Sequence, residues 1–201
     1  MRKEIKAIPS KQTYDWLLTK HYAKRIPQIK YAFGLFDEDK LIGVITYGIP
    51  PSPALCRGVC GDEHKKQVME LNRLCLLNNE KNEASFLIAN SMKLLPKPLI
   101  VVSYADTSQT HTGYVYQATN FLYTGLSAKR KEWTVQGLEH KHSKTLSDGM
   151  TLEAIKEKYG DKFYYRQRSR KHRYIYFLGN KRERKILKNK LRYKITDYPK
   201  P

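Results

Sequence analysis

The stretch VVSYADTSQTHTGYVYQATNF, from Val101 to Phe121, carries the strongest structural signal in the chain. It begins inside a continuous apolar run, Leu99–Ser103, which is typical of a strand buried on both faces of a sheet. Carboxyl, hydroxyl, imidazole and amide groups follow at once, and Thr112–Phe121 is predicted to be a helix. Because ligands and catalytic groups gather where the strands of an open sheet end, we expect a functional site here.

Asp106 is the central polar group of this stretch. If the following segment is helical, Thr112, Tyr116 and Asn120 recur every four residues and lie on one stripe. Asp106 could then meet Tyr116 in one pocket, with Ser103 beside it. The alternative is structural, with Asp106 capping the helix and the tyrosine hydroxyls satisfied by packing. The density of polar groups after a buried strand favours the functional interpretation.

The elements on either side complete an α/β (α+β) fold, in which helices pack against a sheet. Ile49–Gly61 is rich in Pro and Gly and is expected to be a loop, Trp133–Gly149 is polar and irregular, and Lys181–Lys194 is a partly helical tail. Helices are expected at Ser10–His21, Ala84–Leu95 and Thr151–Tyr159, strands at Val68–Leu77, Leu122–Leu126 and Arg173–Leu178, and a hairpin at Tyr31–Tyr47.

The charge of the chain indicates a polyanionic partner. The 201 residues fit one domain with a tail and carry a formal net charge of +19. Phe163–Pro201 holds fourteen Lys and Arg against Glu183 and Asp197, so few internal ion pairs can neutralise it. A basic edge strand that prevents aggregation would not explain the basic tail that follows. The predicted phosphate-binding residues, interleaved with tyrosines that can stack on bases, are Arg166, Arg168, Arg170, Lys171 and Arg173.

Cysteine usage and hydropathy indicate a cytoplasmic protein. Three cysteines make a disulfide framework improbable. No apolar run approaches the ~20 residues of a membrane span, and the N-terminus has no apolar signal segment. Cys56, Cys60 and His64 lack a visible fourth zinc ligand, so their segment is interpreted as a mobile loop over the site.

Two further segments place reactive side chains at or within regular elements. His21 and Tyr22 end the first predicted helix, where a histidine is either stabilised by the helix dipole or has a catalytic or ligand role. Arg73 interrupts an apolar strand and needs a partner, which is either Glu70 or the carboxylate or phosphate of a ligand.

Four long segments carry a family resemblance: YAFGLFDEDKLIGVITYGIPPS from Tyr31, ELNRL from Glu70, VSYADTSQTHTGYVYQATNFLYTGLSAKR from Val102, and KHRYIYFLGNKRERK from Lys171. Together they resemble the bacteriophage Mom family of DNA adenine modification proteins. The resemblance implies the fold of the GNAT superfamily of N-acetyltransferases, with a mixed, mainly antiparallel sheet flanked by helices. A GNAT-like catalytic domain is expected over residues 1–178 and a basic extension over 179–201.

The resemblance also implies an activity and a set of site residues. The family transfers a carbamoylmethyl (acetamido) group to the N6 amine of adenine in DNA, which protects phage DNA from restriction in the bacterial host. Iron would be held by His21, Asp106 and a phenol, either Tyr116 or Tyr22, an oxygen-rich set that suits iron better than zinc. The implied catalytic residues are His21, Tyr22, Arg73, Ser85, Ser103, Asp106 and Tyr116.

The group donor is left open by the sequence. Arg73, Asn82 and Ser85 are the expected donor-binding residues. The stretch LLNNEKNEASF from Leu76 has no glycine, unlike the Gly-rich pyrophosphate loop typical of the superfamily. Backbone amides at the helix start could still bind an anion. Acetyl-CoA and another acyl or aminoacyl donor both remain alternatives.

The expected mechanism acts on a flipped base in double-stranded DNA. Asp106 serves as general base or as metal ligand, Arg73 orients the donor, and tyrosines stack on the base. A homodimer is compatible with the sequence. Two other functions stay open, a GNAT-fold N-acetyltransferase of another amine and a non-catalytic DNA-binding protein.

Overall fold

The structure is a computed structural model that describes residues 3–139, 141 and 143–200. Nine strands and six α-helices are found in this part of the chain. The strands are β1 (Lys3–Ala7), β2 (Tyr31–Asp37), β3 (Lys40–Gly48), β4 (Val68–Leu76), β5 (Leu99–Asp106), β6 (Leu122–Leu126), β7 (Lys131–Val135), β8 (Phe163–Gln167) and β9 (Lys171–Leu178). The helices are α1 (Pro53–Cys60), α2 (Glu83–Leu94), α3 (Tyr114–Ala118), α4 (Ser143–Ser147), α5 (Leu152–Tyr159) and α6 (Lys181–Asn189).

Seven strands form the main sheet, in the order β1-β2-β3-β4-β5-β9-β6. Across the described residues the pairing is antiparallel except between β4 and β5, which run parallel. β7 and β8 form a separate antiparallel pair. This architecture confirms the predicted mixed, mainly antiparallel sheet flanked by helices.

The two parallel strands separate where they approach their C-terminal ends. β4 and β5 pair only from Val68 opposite Ile100 to Leu71 opposite Ser103. The Ser103 hydroxyl donates to the carbonyl of Leu71 at 3.0 Å at this last pair. Beyond it β4 stays with β3 and β5 stays with β9. We call the opening between the diverging strands the fork.

Both faces of the sheet are covered. α2 and α3 pack on one face, where Leu87, Ile88 and Tyr116 join the largest buried cluster. α1 and α6 pack on the other face, where Val59 and Leu187 join a second cluster. None of the described helices is long and apolar enough to cross a membrane. The boundary predicted at residue 178 stays a prediction.

The prediction of a loop at Ile49–Gly61 was wrong, because α1 lies within it. Pro at the first turn of a helix costs no hydrogen bond, so the Pro-rich segment begins a helix here. The Ser52 side chain accepts from the amide of Leu55 at 3.2 Å and caps it. Cys56 and Cys60 are buried in the core, so this segment is no mobile loop.

The helix predicted over Thr112–Phe121 is reduced to the five residues of α3. Gly113 and Asn120 have positive φ values of 83° and 61°, which end the helix on both sides. The predicted stripe of Thr112, Tyr116 and Asn120 is therefore wrong. The strand before it is longer than predicted and runs through Asp106 itself.

Two other predicted elements also differ. Ser10–His21 is not one α-helix but a 3-10 turn at Ser10–Thr13 and a π turn at Trp16–Lys20. The stretch predicted as irregular at Trp133–Gly149 contains most of β7 and all of α4, and residues 140 and 142 lie outside the described part. β7 pairs with β8 from far along the chain, so no local pattern marks it.

Candidate active site

An extra residue in β4 sets the geometry of the fork. Leu71 lies opposite Tyr47 and Arg73 opposite Thr46, so Asn72 has no partner in the register. Such a bulge shifts the alternation of side chains by one residue. Residues three apart on either side of the bulge then share a face, whereas in a regular strand they would face opposite sides.

Polar contacts hold this bulge in place. Asn72 Oδ1 accepts from the Thr46 hydroxyl at 2.6 Å, and Asn72 Nδ2 donates to the carbonyl of Gln28 at 3.0 Å. Gln28 belongs to the segment between the π turn and β2, which also carries His21 and Tyr22. The bulge therefore fixes β4 and this segment together.

Glu70 is a carboxylate inside the sheet without a partner. Within the described part of the chain, no hydrogen bond or ion pair joins its side chain. Burial raises the pKa of Glu70, and the nearby charges of Arg73 and Lys171 partly oppose that shift. A half-buried carboxylate with a raised pKa holds a proton more strongly than an ordinary carboxylate and is therefore the stronger base. The sequence pattern indicates Glu70 only as one of two alternative partners for Arg73.

Arg73 offers unused hydrogen-bond donors at the fork. Its Nη1 donates to the carbonyl of Asn72 at 2.6 Å. Its Nε is buried and has no partner among the described residues. The pKa of Arg73 is lowered by burial and by the charge of Arg25. Of the two partners expected from the sequence, Glu70 forms no ion pair with it, so the free donors suit a ligand carboxylate or carbonyl.

Asp106 is already occupied by protein partners. Its Oδ1 accepts from the amide and the hydroxyl of Ser108, at 3.0 and 2.8 Å, and its Oδ2 lies 3.4 Å from Lys171 Nζ. Burial alone would raise the pKa of Asp106, but these hydrogen bonds and the lysine charge outweigh it and hold the pKa below its ordinary value. Asp106 is ionised at neutral pH and is a weaker proton acceptor than Glu70.

His21 and Tyr22 lie beside the fork as a stacked pair. Their ring centroids are 4.5 Å apart, and Tyr22 meets His111 edge to face at 6.0 Å. Burial, Arg73 and His111 lower the pKa of His21 to about 4, so the ring is neutral at pH 7. His21 Nδ1 accepts from the amide of Ala23 at 3.0 Å. The ring proton therefore resides on Nε2, which is a hydrogen-bond donor.

Tyr116 and Ser103 meet on the face of the sheet that α2 and α3 cover, beneath α3. Tyr116 is buried against Phe121 and Tyr174, at ring-centroid distances of 5.5 and 5.2 Å. Burial raises the pKa of Tyr116 to about 12, although a hydrogen bond with Ser103 opposes the shift. Tyr22 influences the pKa of Tyr116 and has its own pKa raised by burial and by Asp106, so the fork brings these residues within electrostatic reach.

The predicted iron site combines an imidazole, a carboxylate and a phenol, from His21, Asp106 and Tyr116. No three His, Cys, Asp or Glu side chains of the described residues lie close enough together to hold an ion. Ala23 engages His21 Nδ1, Ser108 and Lys171 engage the Asp106 carboxylate, and Ser103 engages the Tyr116 hydroxyl, whereas no described residue bonds His21 Nε2. A metal held by Asp106 or Tyr116 would have to displace their partners, and iron stays a sequence-based prediction.

Asn82 and Ser85 lie away from Arg73, in a groove of about 630 Å³ along α2. Glu83, the first residue of α2, accepts from the amide of Glu80 at 2.9 Å and pairs with Lys3 at 2.6 Å. No described side chain caps the first-turn amides of α2 itself, so these amides stay available to an anion. The groove also contains Phe86, Lys93, Lys97, Asn120, Tyr176 and Arg184.

The five predicted phosphate-binding residues are largely engaged within the protein. Arg166 pairs with Glu132 at 2.9 Å, and Arg170 donates to the carbonyl of Ser127 at 2.7 Å. Lys171 pairs with Asp106, and Arg173 lies 3.4 Å over the ring of Tyr193 and donates to Thr124. Arg168, at 3.9 Å from Glu132, is exposed. Any role in DNA binding stays a prediction for all five.

The sheet order and the parallel pairing of β4 with β5 define the fold, which is that of the GNAT acetyltransferases. A probable acetyltransferase from Staphylococcus epidermidis superposes with a TM-score of 0.52 at 10% identity, covering 89% of this chain and 100% of that one. Arabidopsis thaliana NAA60, solved with a bisubstrate analogue, gives a TM-score of 0.52 at 11% identity, covering 88% of this chain and 98% of that one.

Sequence similarity identifies the family within this fold. Methylcarbamoylase mom of Escherichia phage Mu is 33% identical over 195 residues, which cover 90% of this chain and 77% of that protein. The model of the Mom protein family matches residues 2–200. The chain belongs to the Mom family, which confirms the resemblance seen in its motifs.

Proposed function

We propose that this protein is an enzyme that transfers a carbamoylmethyl group to the N6 amine of adenine in double-stranded DNA. Membership of the Mom family and the name of its phage Mu relative, a methylcarbamoylase, support the group that is transferred. The observation that carries the chemistry is the unpaired carboxylate of Glu70 beside the free donors of Arg73 at the fork.

The amine of adenine is a poor nucleophile until it loses a proton. Its lone pair is delocalised into the ring, and in a duplex the amine is buried in a base pair. Drawing the base out costs a few kcal/mol. Glu70, with a pKa raised by burial, then accepts the proton as the nitrogen attacks. This replaces Asp106, whose pKa is low, as the general base.

In the transfer step, Glu70 takes the proton and Arg73 binds the donor. The N6 nitrogen forms a bond to the electrophilic carbon of the donor. The bond from that carbon to the leaving group breaks, and the leaving group takes the electron pair. The amine proton passes to the carboxylate of Glu70. Arg73 binds the carbonyl or carboxylate of the donor and stabilises negative charge as it develops.

The other residues at the fork hold the reactants. Neutral His21 donates through Nε2 and does not compete for the proton. Tyr22, which stacks on His21 and is 49% exposed, presents a face on which an extruded base can stack. Asp106 positions Lys171 and the turn at Ser108, a structural task that needs an ionised carboxylate.

The transfer requires a donor whose electrophilic carbon is the methylene of the carbamoylmethyl group, because direct attack on the thioester carbonyl of an acyl-CoA would give an N6-acyl adenine instead. We expect the anionic part of the donor to bind cationic side chains of the groove, such as Lys97 and Arg184. Iron takes no part in the steps proposed here.

The test is the nucleoside content of DNA. The protein is expressed in bacteria, the DNA is digested to nucleosides, and mass spectrometry is used to search for deoxyadenosine carrying one carbamoylmethyl substituent. We expect this nucleoside, together with resistance of the DNA to restriction enzymes whose sites contain adenine. An acetylated deoxyadenosine, or unmodified DNA from cells that contain folded protein, would contradict the proposal.

A further inference from the structure

Residues 127–170 leave the main sheet between β6 and β9 and form a unit of their own. β7 and β8, here called the ribbon, pair from Lys131 opposite Gln167 to Val135 opposite Phe163. α4 and α5 pack against the ribbon and contribute buried Leu146 and Ile155. The unit has its own small core and adds a surface outside the sheet.

Hydrogen bonds attach the ribbon to the main sheet at the end where the fork lies, and this junction is called the root. The amide of Ser127 donates to the carbonyl of Lys171 at 2.8 Å. The amide and the hydroxyl of Thr107 both donate to the carbonyl of Arg170, at 3.1 and 2.8 Å. Because Thr107 follows Asp106 directly, the ribbon is tied to the candidate site.

Three consecutive cations lie at this root without neutralising partners. Lys129, Arg130 and Lys131, here called the root cations, are exposed. In the part of the chain that the structure describes, none of their side chains forms an ion pair or a hydrogen bond. The charge of Arg130 lowers the pKa of Tyr104, which burial raises, so Arg130 lies close to β5. Unpaired cations beside a nucleic-acid site are suited to bind phosphates.

The ribbon also presents an aromatic face beyond these cations. Trp133 stacks on Phe163 with ring centroids 5.7 Å apart, and Phe163 meets Tyr165 edge to face at 5.4 Å. Tyr165 lies opposite Trp133 in the register and is 52% exposed. Tyr164 points to the other face and donates to Glu139 at 3.1 Å. Aromatic rings next to cations are a typical surface for stacking on bases.

The basic helix α6 begins at the other end of the sheet. Lys171 lies opposite Asp106, where β5 ends, whereas Leu178 lies opposite Leu99, where β5 begins. An eight-residue strand spans about 25 Å. The first cations of α6 are therefore remote from the fork, although they carry much of the C-terminal charge.

We propose that the ribbon and the root cations form a clamp that holds a DNA duplex over the fork. The root cations bind phosphates near the target adenine, and the aromatic face stacks on bases exposed when that adenine is drawn out. The inference rests on the proposed function for the presence of the adenine site. It assigns the DNA contact near that site to a segment other than the basic C-terminus.

Binding to a short fluorescent duplex at several salt concentrations tests the clamp. The variant K129A/R130A/K131A should bind about tenfold or more weakly, and the slope of log K against log salt should decrease by about 2 to 3. The control K181A/R182A/K185A removes the same residue types from α6 and should change both quantities much less. Thermal unfolding of both variants checks that they are folded. Equal losses in the two variants, or a larger loss in the control, would overturn the clamp.

The aromatic face has its own matched pair of variants. Tyr165→Ala should weaken binding to a duplex with one unpaired adenine about fivefold or more, and Tyr164→Ala should not. Equal binding by both would remove the aromatic face from the proposal. Nucleoside analysis runs in parallel and separates the two claims. Binding without a modified nucleoside would contradict the proposed function alone, whereas modification that persists with unchanged binding in the root variant would contradict the clamp alone.

Discussion

Glu70 and Arg73 share one face of β4 although they are three positions apart, because the bulge at Asn72 shifts the alternation of side chains. Each residue influences the pKa of the other. Neither Glu70 nor Arg73 Nε has a hydrogen-bond partner within the described residues. A proton acceptor and a free cationic donor thus lie side by side at the fork, which is the arrangement on which the proposed transfer depends.

Removing the charge of Arg73 should change the pH dependence of the reaction. Arg73 opposes the effect of burial on Glu70, so Arg73→Met should raise the pKa of Glu70 further. The acidic limb of the pH–rate profile should then move to higher pH, and the maximal rate should fall by about 10²-fold. Single-turnover rates on duplex DNA at a series of pH values provide the measurement. An acidic limb that stays in place would show that the titrating base is not Glu70.

The Asn72 bulge should matter more to activity than to stability. Asn72→Ala removes the partner of the Thr46 hydroxyl, which is fully buried, and the bond to Gln28. The free energy of unfolding should fall by about 1–3 kcal/mol. Activity of the remaining folded protein should fall more than tenfold, because Glu70 and Arg73 lose their common face. Urea unfolding and nucleoside analysis measure the two effects, and Asn189→Ala on α6 should alter neither. Full activity in folded Asn72→Ala would contradict this role of the bulge.

His21 should make the protein less stable in acid. Its pKa is about 4 when folded and 6.5 when unfolded, so between these values the unfolded chain binds a proton that the folded protein does not. The free energy of unfolding should therefore decrease as the pH falls from 6.5 towards 4, by about 2 kcal/mol after allowance for solvent screening. Comparison with His21→Asn, which keeps an acceptor for the amide of Ala23, isolates this contribution. Identical pH dependence in the two proteins would show that His21 is not held neutral.

Gly113 should tolerate no side chain. Its φ is +83°, and a Cβ atom there would lie 2.3 Å from Cε2 of Tyr174. Gly149 has a similar φ of +80° with nothing within 4 Å of such an atom, so it serves as the control. Gly149→Ala should cost about 1 kcal/mol through the backbone alone, and Gly113→Ala about 3 kcal/mol through the added clash. Equal costs in urea unfolding would mean that Tyr174 moves away freely.

Much of the sheet could be predicted from the chain, because its strands carry continuous or alternating apolar patterns. The hairpin at Tyr31–Tyr47 and the buried strand from Leu99 are such cases, and both are confirmed. The helix at Pro53–Cys60 was missed because three prolines close together are typical of a loop. The ribbon was missed because its strands are joined by long-range pairing that leaves no local pattern.

The candidate site was harder to predict than the fold. His21, Tyr22, Arg73, Ser103, Asp106 and Tyr116 do gather about the fork, and their roles remain predictions. The sequence could not show that Asp106 is occupied by Ser108 and Lys171, nor that Glu70 is free, since both depend on the register and the bulge. A carboxylate within an apolar strand was the available signal for Glu70.

The central claim is that Glu70 takes the proton when adenine is modified. The most direct measurement is the fraction of carbamoylmethylated deoxyadenosine in DNA from cells that express the wild type, Glu70→Gln or Asp106→Asn at equal levels of folded protein. We expect the modified nucleoside in DNA from cells with the wild type. Glu70→Gln should lower its fraction by about 10²-fold or more, and Asp106→Asn should lower it less. Wild-type levels of modification with Glu70→Gln would contradict the account.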